Sequence, residues 1–446
     1  MSSTKKQAIN GTIWTLVGYG GSQVIRLVSN IILTRLLAPE LFGLMALMNT
    51  FIQGLAMFSD VGIQPSIVRS PRGDDPTFLN TAWTIQVIRG FGLWLACCLI
   101  AWPVAQFYGD IQLLWLLPIV GLTTIAAGFN STALATLNRK MKIGKLTIFD
   151  VGIQVFSLTF MTIWAYFQRT IWPLVGGSLL GSFVKSIGSH YLEPEISNRF
   201  TWDKESVKEL TSFGRWIFLS TMMTFIASRA DRLILAKLFS LEVLGVYTIA
   251  ITFAEIPKSI IQSIAGKVIF PVISQNIELP RHQLRAKIIR SRKWILIALA
   301  FGVAILVSFG DLLIFGLYDQ RYAQAAWMLP LIALGLWPLI LYLTIGPSLM
   351  ALGKPMYTAA STSAKAIFMI MGLPIGFKLG GILGVIIVIM LNDLPNYCII
   401  NYGLYREKLI AISQDVKLTM FLVSLILGFS SVRFFGGFGI SISSIL

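Results

Sequence analysis

The chain has 446 residues, of which 55% are hydrophobic and only 13% are charged, and its mean hydropathy is +0.75. A soluble domain carries about 25% charged residues, so this composition excludes a soluble globular protein. The net charge is +16, but the basic residues lie mostly between apolar runs. Membrane topology explains them there, and we expect no nucleic-acid partner.

Apolar runs follow one another from the first part of the chain to the last. A helix of about 20 apolar residues crosses the hydrocarbon core of a bilayer, so the sequence predicts an all-α polytopic protein with about 13 (12–14) transmembrane helices. The predicted spans are residues 11–36, 41–66, 80–107, 111–136, 144–168, 171–191, 211–238, 242–270, 294–318, 326–350, 356–378, 382–404 and 417–435.

Lysine and arginine are distributed unequally between alternate connections. Clusters such as Lys5-Lys6, residues 139–145 and residues 281–293 fall in one set, whereas the other set has about one basic residue per connection, for example Arg35 and Lys237. Cytoplasmic loops retain positive charge. We therefore expect a multi-pass protein with its N-terminus in the cytoplasm.

Two stretches of the sequence repeat one another at an offset of 202 residues. In the first, 31–51, the chain turns at Pro39, because proline cannot continue a helix. In the second, 235–253, Lys237 takes the place of Arg35. Such a repeat predicts duplication, with an N-terminal six-helix lobe at 1–192, a cytoplasmic linker at 193–210, a C-terminal six-helix lobe at 211–408 and an extra helix and tail at 409–446.

Motifs for soluble chemistry are missing from the sequence. His190 and His282 have no partners at metal-ligand spacing, the three cysteines lie inside apolar runs, and the chain has no GxxxxGK[ST] phosphate loop. We therefore predict no catalytic residue, no metal site and no cofactor.

Several charges fall within the predicted spans instead. A charge near the bilayer centre costs roughly 2.5–3.5 kcal/mol on insertion scales, so it usually faces a partner or a wet cavity. Arg26 and Arg229 lie at matching depths in spans one and seven, Lys365 lies in span eleven, and Arg89 lies closer to the surface in span three. We expect these four cations to line a cavity that binds an anionic group such as a pyrophosphate, because the planar guanidinium pairs with phosphate oxygens.

Acidic residues in the spans leave a structural alternative open. Asp231 stands beside Arg229 in the sequence and would neutralise it within one helix. Glu255 or Asp393 would pair with Arg26 if that arginine were structural. As an alternative role, Glu255 or Asp393 would carry a coupling ion.

Two runs of the sequence resemble parts of a known family. The run LTRLLAPELFG, Leu33–Gly43, resembles the first periplasmic turn of bacterial oligosaccharide flippases. The run DVGIQPSIVRSPRGDDPTFLNTAW, Asp60–Trp83, is similar to the connection between spans two and three in the colanic-acid exporter (Wzx) type. The likeness extends from about Asn10 to Lys408, and it identifies the chain as a member of the multidrug/oligosaccharidyl-lipid/polysaccharide superfamily.

The resemblance implies a flippase of the bacterial inner membrane. Its substrate would be an undecaprenyl-pyrophosphate-linked oligosaccharide, moved by alternating access through a V-shaped cavity. Implied partners are this lipid-linked oligosaccharide, the lipid bilayer, a polysaccharide polymerase and a chain-length regulator, and no enzymatic activity is implied.

Two other functions remain as alternatives. A multidrug-type exporter of small cationic molecules would favour acidic and aromatic cavity residues over a pair of deep arginines. A membrane-embedded glycan polymerase or ligase would carry a long periplasmic loop with catalytic groups, whereas the predicted external connections are short.

Overall fold

The computed structural model describes residues 3–60, 62–212 and 214–437, and within these ranges the chain is helical and contains no β-strand. A π-helical turn at Ala265–Ile269 and a 3₁₀ turn at Gln320–Tyr322 interrupt the α-helices. The helices are α1 (Ser3–Leu36), α2 (Pro39–Phe58), α3 (Ile63–Arg69), α4 (Pro76–Tyr108), α5 (Leu113–Gly128), α6 (Ala133–Arg139), α7 (Ile143–Phe167), α8 (Trp172–Ser189), α9 (Lys204–Ser212), α10 (Gly214–Leu238), α11 (Leu241–Ile264), α12 (Phe270–Ser274), α13 (Arg281–Leu317), α14 (Gln324–Leu343), α15 (Pro347–Ala351), α16 (Met356–Leu391), α17 (Leu394–Arg406) and α18 (Ile412–Phe435).

The helices form two compact units, unit 1 (Met1–Met222) and unit 2 (Met223–Leu446). In unit 1, α4 packs against α5, α5 against α8, α8 against α7, and α7 against α1. In unit 2, α14 is the central helix and contacts α11, α13, α16 and α17, while α18 packs against α13. Most side chains of α14 are buried, as its position in the middle of the unit requires.

The two units share an order of elements. A long helix is followed by a turn and a second helix, which begins with Pro39 in unit 1 and with the capping hydroxyl of Ser240 in unit 2. Later in each unit, a helix with a proline near its start (Pro118 in α5, Pro330 in α14) precedes a short helix. The duplication and its lobe boundaries stay a prediction.

By length and composition, eight helices in the described ranges are able to cross a membrane, or nine if the bent pair α5 and α6 is one span. The all-α membrane fold is therefore confirmed, and the count of about thirteen spans stays a prediction. The second span was predicted too long, because α2 ends at Phe58. The chain then turns through Gly62, which has a φ of +71°, into α3.

Helix α16 reverses direction at the pair Gly380-Gly381, which separates the predicted spans eleven and twelve. Gly381 has a φ of +57°, a conformation that side chains with a β-carbon rarely adopt. Gly376 and Gly384 then face each other across the turn so closely that a β-carbon on Gly384 would overlap the carbonyl of Gly376. The two arms of α16 therefore pack backbone against backbone.

The segment predicted as a linker, residues 193–210, lies against unit 1, and we call it the strap. Backbone N–H groups at three alternate strap positions donate hydrogen bonds to side chains of α4. The pairs are Arg199 N to Asn80 Oδ1 at 3.0 Å, Thr201 N to Thr84 Oγ1 at 3.0 Å and Asp203 N to Thr81 Oγ1 at 3.3 Å. Because these bonds use the strap's backbone, its polar composition alone did not reveal them.

Side chains hold both ends of the strap as well. Leu210 is fully buried among α3 and α4, and the ring of Phe200 lies 4.9 Å from that of Trp83. At the other end, hydrogen bonds from Lys142 and Lys145 lower the pKa of the Glu193 carboxyl. The strap is therefore an integral part of unit 1.

Two buried ion pairs fasten α18 to α13. Arg433 makes a bidentate contact with Asp311 through N–O distances of 2.6 and 2.5 Å, and Arg292 lies 2.9 Å from Asp415. The sequence analysis placed Arg292 in a connection at 281–293; in the structure those residues form the first turns of α13, and Arg292 is buried there. A hydropathy pattern does not show that a charge has a distant partner.

Candidate functional site

Arg26 lies in α1 and is exposed within its unit. Among the described residues of unit 1 it has no ion-pair or hydrogen-bond partner. Glu255 and Asp393, the two acids proposed as its structural partners, belong to unit 2, where each contacts a cation. The role of Arg26 in binding an anion stays a prediction.

Arg89 is held firmly beside the end of α2. Its Nε donates to Ser59 Oγ at 2.9 Å and its Nη2 donates to the carbonyl of Ala56 at 2.6 Å. A cation at a helix C-terminus interacts favourably with the helix dipole. Part of its hydrogen-bonding capacity is therefore used for structure.

Arg229 pairs with an acid of the neighbouring helix. Its Nη1 lies 3.8 Å from Glu255 Oε1, and Arg232 Nη2 lies 3.4 Å from the same oxygen. Asp231, the expected partner within α10, instead accepts a hydrogen bond of 2.5 Å from the Tyr247 hydroxyl. The Glu255 carboxylate thus lies within ion-pair distance of two guanidinium groups of α10.

Lys365 and Asp393 form a short pair. The ammonium lies 2.7 Å from Asp393 Oδ1, and the two side chains are 12% and 8% exposed. Asn396 donates a further hydrogen bond of 3.0 Å to the same oxygen. Because both charges are compensated, neither is free in this conformation.

These pairs surround a cavity of about 60 Å³ inside unit 2. It is lined by residues of α10, α11, α14 and α16, among them Asp231, Glu255, Lys258 and Lys365. Buried polar atoms usually have a hydrogen-bond partner. Here Asp231 Oδ1 and Arg232 Nε have none among the described residues, and the space is large enough for a few water molecules at roughly 10–15 Å³ each.

Lys258 was missed by the sequence analysis. It lines the cavity and has no hydrogen-bond or ion-pair partner in the described ranges. Its position three residues after Glu255 was a usable signal, because residues three apart share a helix face.

The four residues proposed for the site in unit 2 therefore form ion pairs rather than a uniformly cationic surface. Arg229 shares Glu255 with Arg232, and Lys365 binds Asp393, whereas Arg26 and Arg89 belong to unit 1. In the ranges that the structure describes, no three histidine, cysteine, aspartate or glutamate side chains come together as a metal site.

Comparisons with known proteins agree with this membrane fold. A sequence profile described as "Polysaccharide biosynthesis protein" matches residues 32–326. The succinoglycan biosynthesis transport protein ExoT of Rhizobium meliloti (strain 1021) is 24% identical over 354 residues, which are 78% of this chain and 66% of ExoT. The lipopolysaccharide biosynthesis protein WzxC of Escherichia coli (strain K12) is 21% identical over 286 residues, 61% of this chain and 56% of WzxC.

Solved structures show the same fold. The lipid II flippase MurJ in an inward closed conformation superposes with a TM-score of 0.73 at 15% identity, covering 94% of this chain and 92% of MurJ. An inward-facing multidrug resistance MATE family transporter of the MOP superfamily gives a TM-score of 0.68 at 14% identity, covering 89% of this chain and 96% of the transporter.

Proposed function

Because the chain belongs to the polysaccharide biosynthesis protein family, we propose that it is a flippase for undecaprenyl-pyrophosphate-linked oligosaccharides. It would move them across the bacterial inner membrane by alternating access, with its N-terminus in the cytoplasm. The names of ExoT and WzxC and the fold shared with MurJ support this proposal. Transport requires no chemical step, and a polymerase and a chain-length regulator would use the exported glycan.

Arg26 is the observation that carries the proposal. A guanidinium in an apolar helix is costly, and this one has no partner among the described residues of unit 1. Its planar group suits the oxygens of a pyrophosphate. Arg89 contributes positive charge in the same unit, although two of its nitrogens are already bonded to α2.

The paired cations of unit 2 suggest how an ion would be coupled to transport. Protonation of Asp393 would release Lys365, and protonation of Glu255 would release Arg229 and Arg232. The released cations would then bind the substrate anion. In this proposal Glu255 and Asp393 each take up a proton and release the basic side chain that they had paired with.

Gene deletion tests the proposed function directly. Cells without the gene should accumulate a lipid-linked oligosaccharide on the cytoplasmic face of the inner membrane, because its synthesis continues while its transfer stops. The measurement is mass spectrometry of the extracted lipid together with its protection from an externally added glycosidase. Absence of any accumulated lipid-linked glycan would contradict the flippase proposal.

Charge reversal at Arg26 tests the mechanism. Arg26→Glu should abolish export while the protein still inserts, and Arg26→Lys should retain partial export because it keeps the charge without the planar group. Arg169→Glu is the control, since Arg169 is an exposed arginine outside the helices. Normal export by a well-expressed Arg26→Glu protein would refute the role of Arg26.

A further inference from the structure

Unit 1 contains a larger cavity, and Arg89 is one of its lining residues. Its volume is about 680 Å³, within the roughly 300–1,000 Å³ typical of small-molecule sites. The end of α2, the first half of α4, the end of α5 and the short helices α3 and α6 form its walls. In the predicted orientation this is the cytoplasmic half of the unit. Its polar lining includes Gln64, Arg89, Thr123, Asn130, Ser131 and Thr132.

The chemistry of this lining suits hydroxyl groups better than phosphate. Asp60 and Arg89 are the charged residues of the wall, and their formal charges cancel. The remaining polar groups are amides and hydroxyls, which both donate and accept hydrogen bonds. Sugar hydroxyls have the same dual capacity, whereas a pyrophosphate only accepts and would bring negative charge to a wall whose formal net charge is zero.

Asn130 belongs to this wall and has an unused acceptor. Its side-chain oxygen is buried and has no hydrogen-bond partner among the described residues. An unsatisfied buried carbonyl is costly, so a donor from a ligand or from water would be bound there favourably. Thr123 also lines the cavity. Its hydroxyl donates to the Val120 carbonyl at 2.7 Å and keeps lone pairs for a donor.

The wall is held in place by hydrogen bonds between α4 and α5. Gln86 Nε2 donates to the carbonyls of Gly128 and Asn130, each at 3.0 Å. Thr124 Oγ1 donates to the carbonyl of Gly90 at 3.1 Å, where a β-carbon on Gly90 would lie 2.7 Å from the Thr124 carbonyl oxygen. A rigid wall of this kind lowers the entropic cost of binding.

We propose that this cavity is a glycan-loading site, which holds the sugar residues next to the pyrophosphate before transport. The inference rests on the proposed function and deepens it, because it divides recognition of the substrate between two groups of residues. Arg26 binds the anionic lipid head, and the amide and hydroxyl wall of unit 1 binds the uncharged part of the glycan.

Two lipid probes separate these contributions on the purified full-length protein. One is undecaprenyl pyrophosphate without sugar, and the other is the undecaprenyl-pyrophosphate oligosaccharide extracted from cells that lack the gene. Native mass spectrometry gives the affinity of each. The wild type should bind the glycosylated lipid more tightly. Asn130→Leu and Thr123→Val should each weaken that binding by roughly three- to tenfold, the worth of one hydrogen bond, without changing binding of the bare lipid.

Two further variants control for other effects. Arg26→Gln should weaken both lipids, because it acts on the pyrophosphate. Ser157→Ala removes a hydroxyl that donates to the Gly177 carbonyl at 2.8 Å and joins α7 to α8 away from the cavity lining, so it should lower the melting temperature and leave the ratio of the two affinities unchanged.

Several results would overturn the glycan-loading site. These are equal wild-type affinities for the two lipids, unchanged binding in both wall variants, or an equal loss for both lipids. If the wild type binds neither lipid, the proposed function itself fails, so the two failures are distinguishable.

Discussion

The buried pair between Arg433 and Asp311 gives a direct test of what holds α18 in unit 2. Arg433 lies in the last turn of α18, and the two side chains are 3% and 6% exposed. Besides the bidentate contact, Arg433 Nη1 donates a hydrogen bond of 2.6 Å to the carbonyl of Ser308. Arg433→Met would leave the Asp311 carboxylate buried without its partner.

The size of the effect follows from this burial. Removing one member of a buried ion pair costs about 3–5 kcal/mol. In a domain of about 200 residues, each 1 kcal/mol changes the melting temperature by about 2–4 °C. Unit 2 of the purified Arg433→Met protein should therefore melt roughly 6–20 °C lower in a fluorescence melting assay.

A matched control comes from an exposed pair of the same residue types. Arg321 contacts Asp319, and their side chains are 43% and 37% exposed. Such surface pairs contribute about 0–1 kcal/mol, so Arg321→Met should change the melting temperature little.

A double variant tests whether the unpaired charge of Asp311 causes the loss of stability. Arg433→Met with Asp311→Leu leaves no unpaired charge, and apolar replacement of a buried pair is often neutral or stabilising. The double variant should thus recover much of the loss. An unchanged melting temperature in the single variant, or no recovery in the double variant, would show that the ion pair does not hold α18.

Three other predictions follow from topology, pH and pairing. Reporter fusions should give a cytoplasmic signal after Gly73, Lys142, Asn198, Pro280 and Leu409 and a periplasmic signal after Pro39, Asp110, Leu241 and Asp319; a periplasmic signal at Asn198 would contradict two lobes of like orientation. Lys142 and Lys145 lower the pKa of Glu193. Glu193 therefore stabilises the folded protein fully above the ordinary carboxyl pKa, and this contribution is lost as the pH falls through the lowered pKa of the folded state. Glu193→Gln should therefore melt below the wild type at neutral pH and equal it in strong acid, and a difference that persists in acid would contradict this. Lys365→Met should reduce the abundance of the protein in the membrane, because Asp393 is only 8% exposed and would lose its partner. The double variant with Asp393→Leu should restore the abundance. Normal abundance of the single variant would argue against a structural pair.

The helical membrane fold was predictable because it depends on local sequence. Long apolar runs, the turn at Pro39 and the break at Gly380-Gly381 each act within a few residues. Helix α2 begins at Pro39, and α16 reverses direction at the glycine pair. The extent of α2 was predicted wrongly because apolar residues resume after Ser59 and Asp60, while the helix ends at Phe58 and the backbone turns at Gly62.

The charges of the candidate site were also visible in the sequence, since they are rare in apolar helices. Their partners were not, because partners come from distant positions. Asp311 and Arg433 are separated by 122 residues, and Arg229 binds an acid on the next helix rather than its neighbour Asp231. Hydropathy gives the cost of placing a charge in the membrane, whereas only the packed structure shows what offsets that cost.

The hydrogen bonds of the strap determine which substitutions it tolerates. At Arg199, Thr201 and Asp203 the group bound to α4 is the backbone N–H, so many different side chains would keep these bonds. Proline has no such group, and it is the residue that these three positions exclude. The strap is thus able to diverge widely in sequence while keeping its path, whereas Asn80, Thr81 and Thr84, which accept the bonds through their side chains, are constrained in identity.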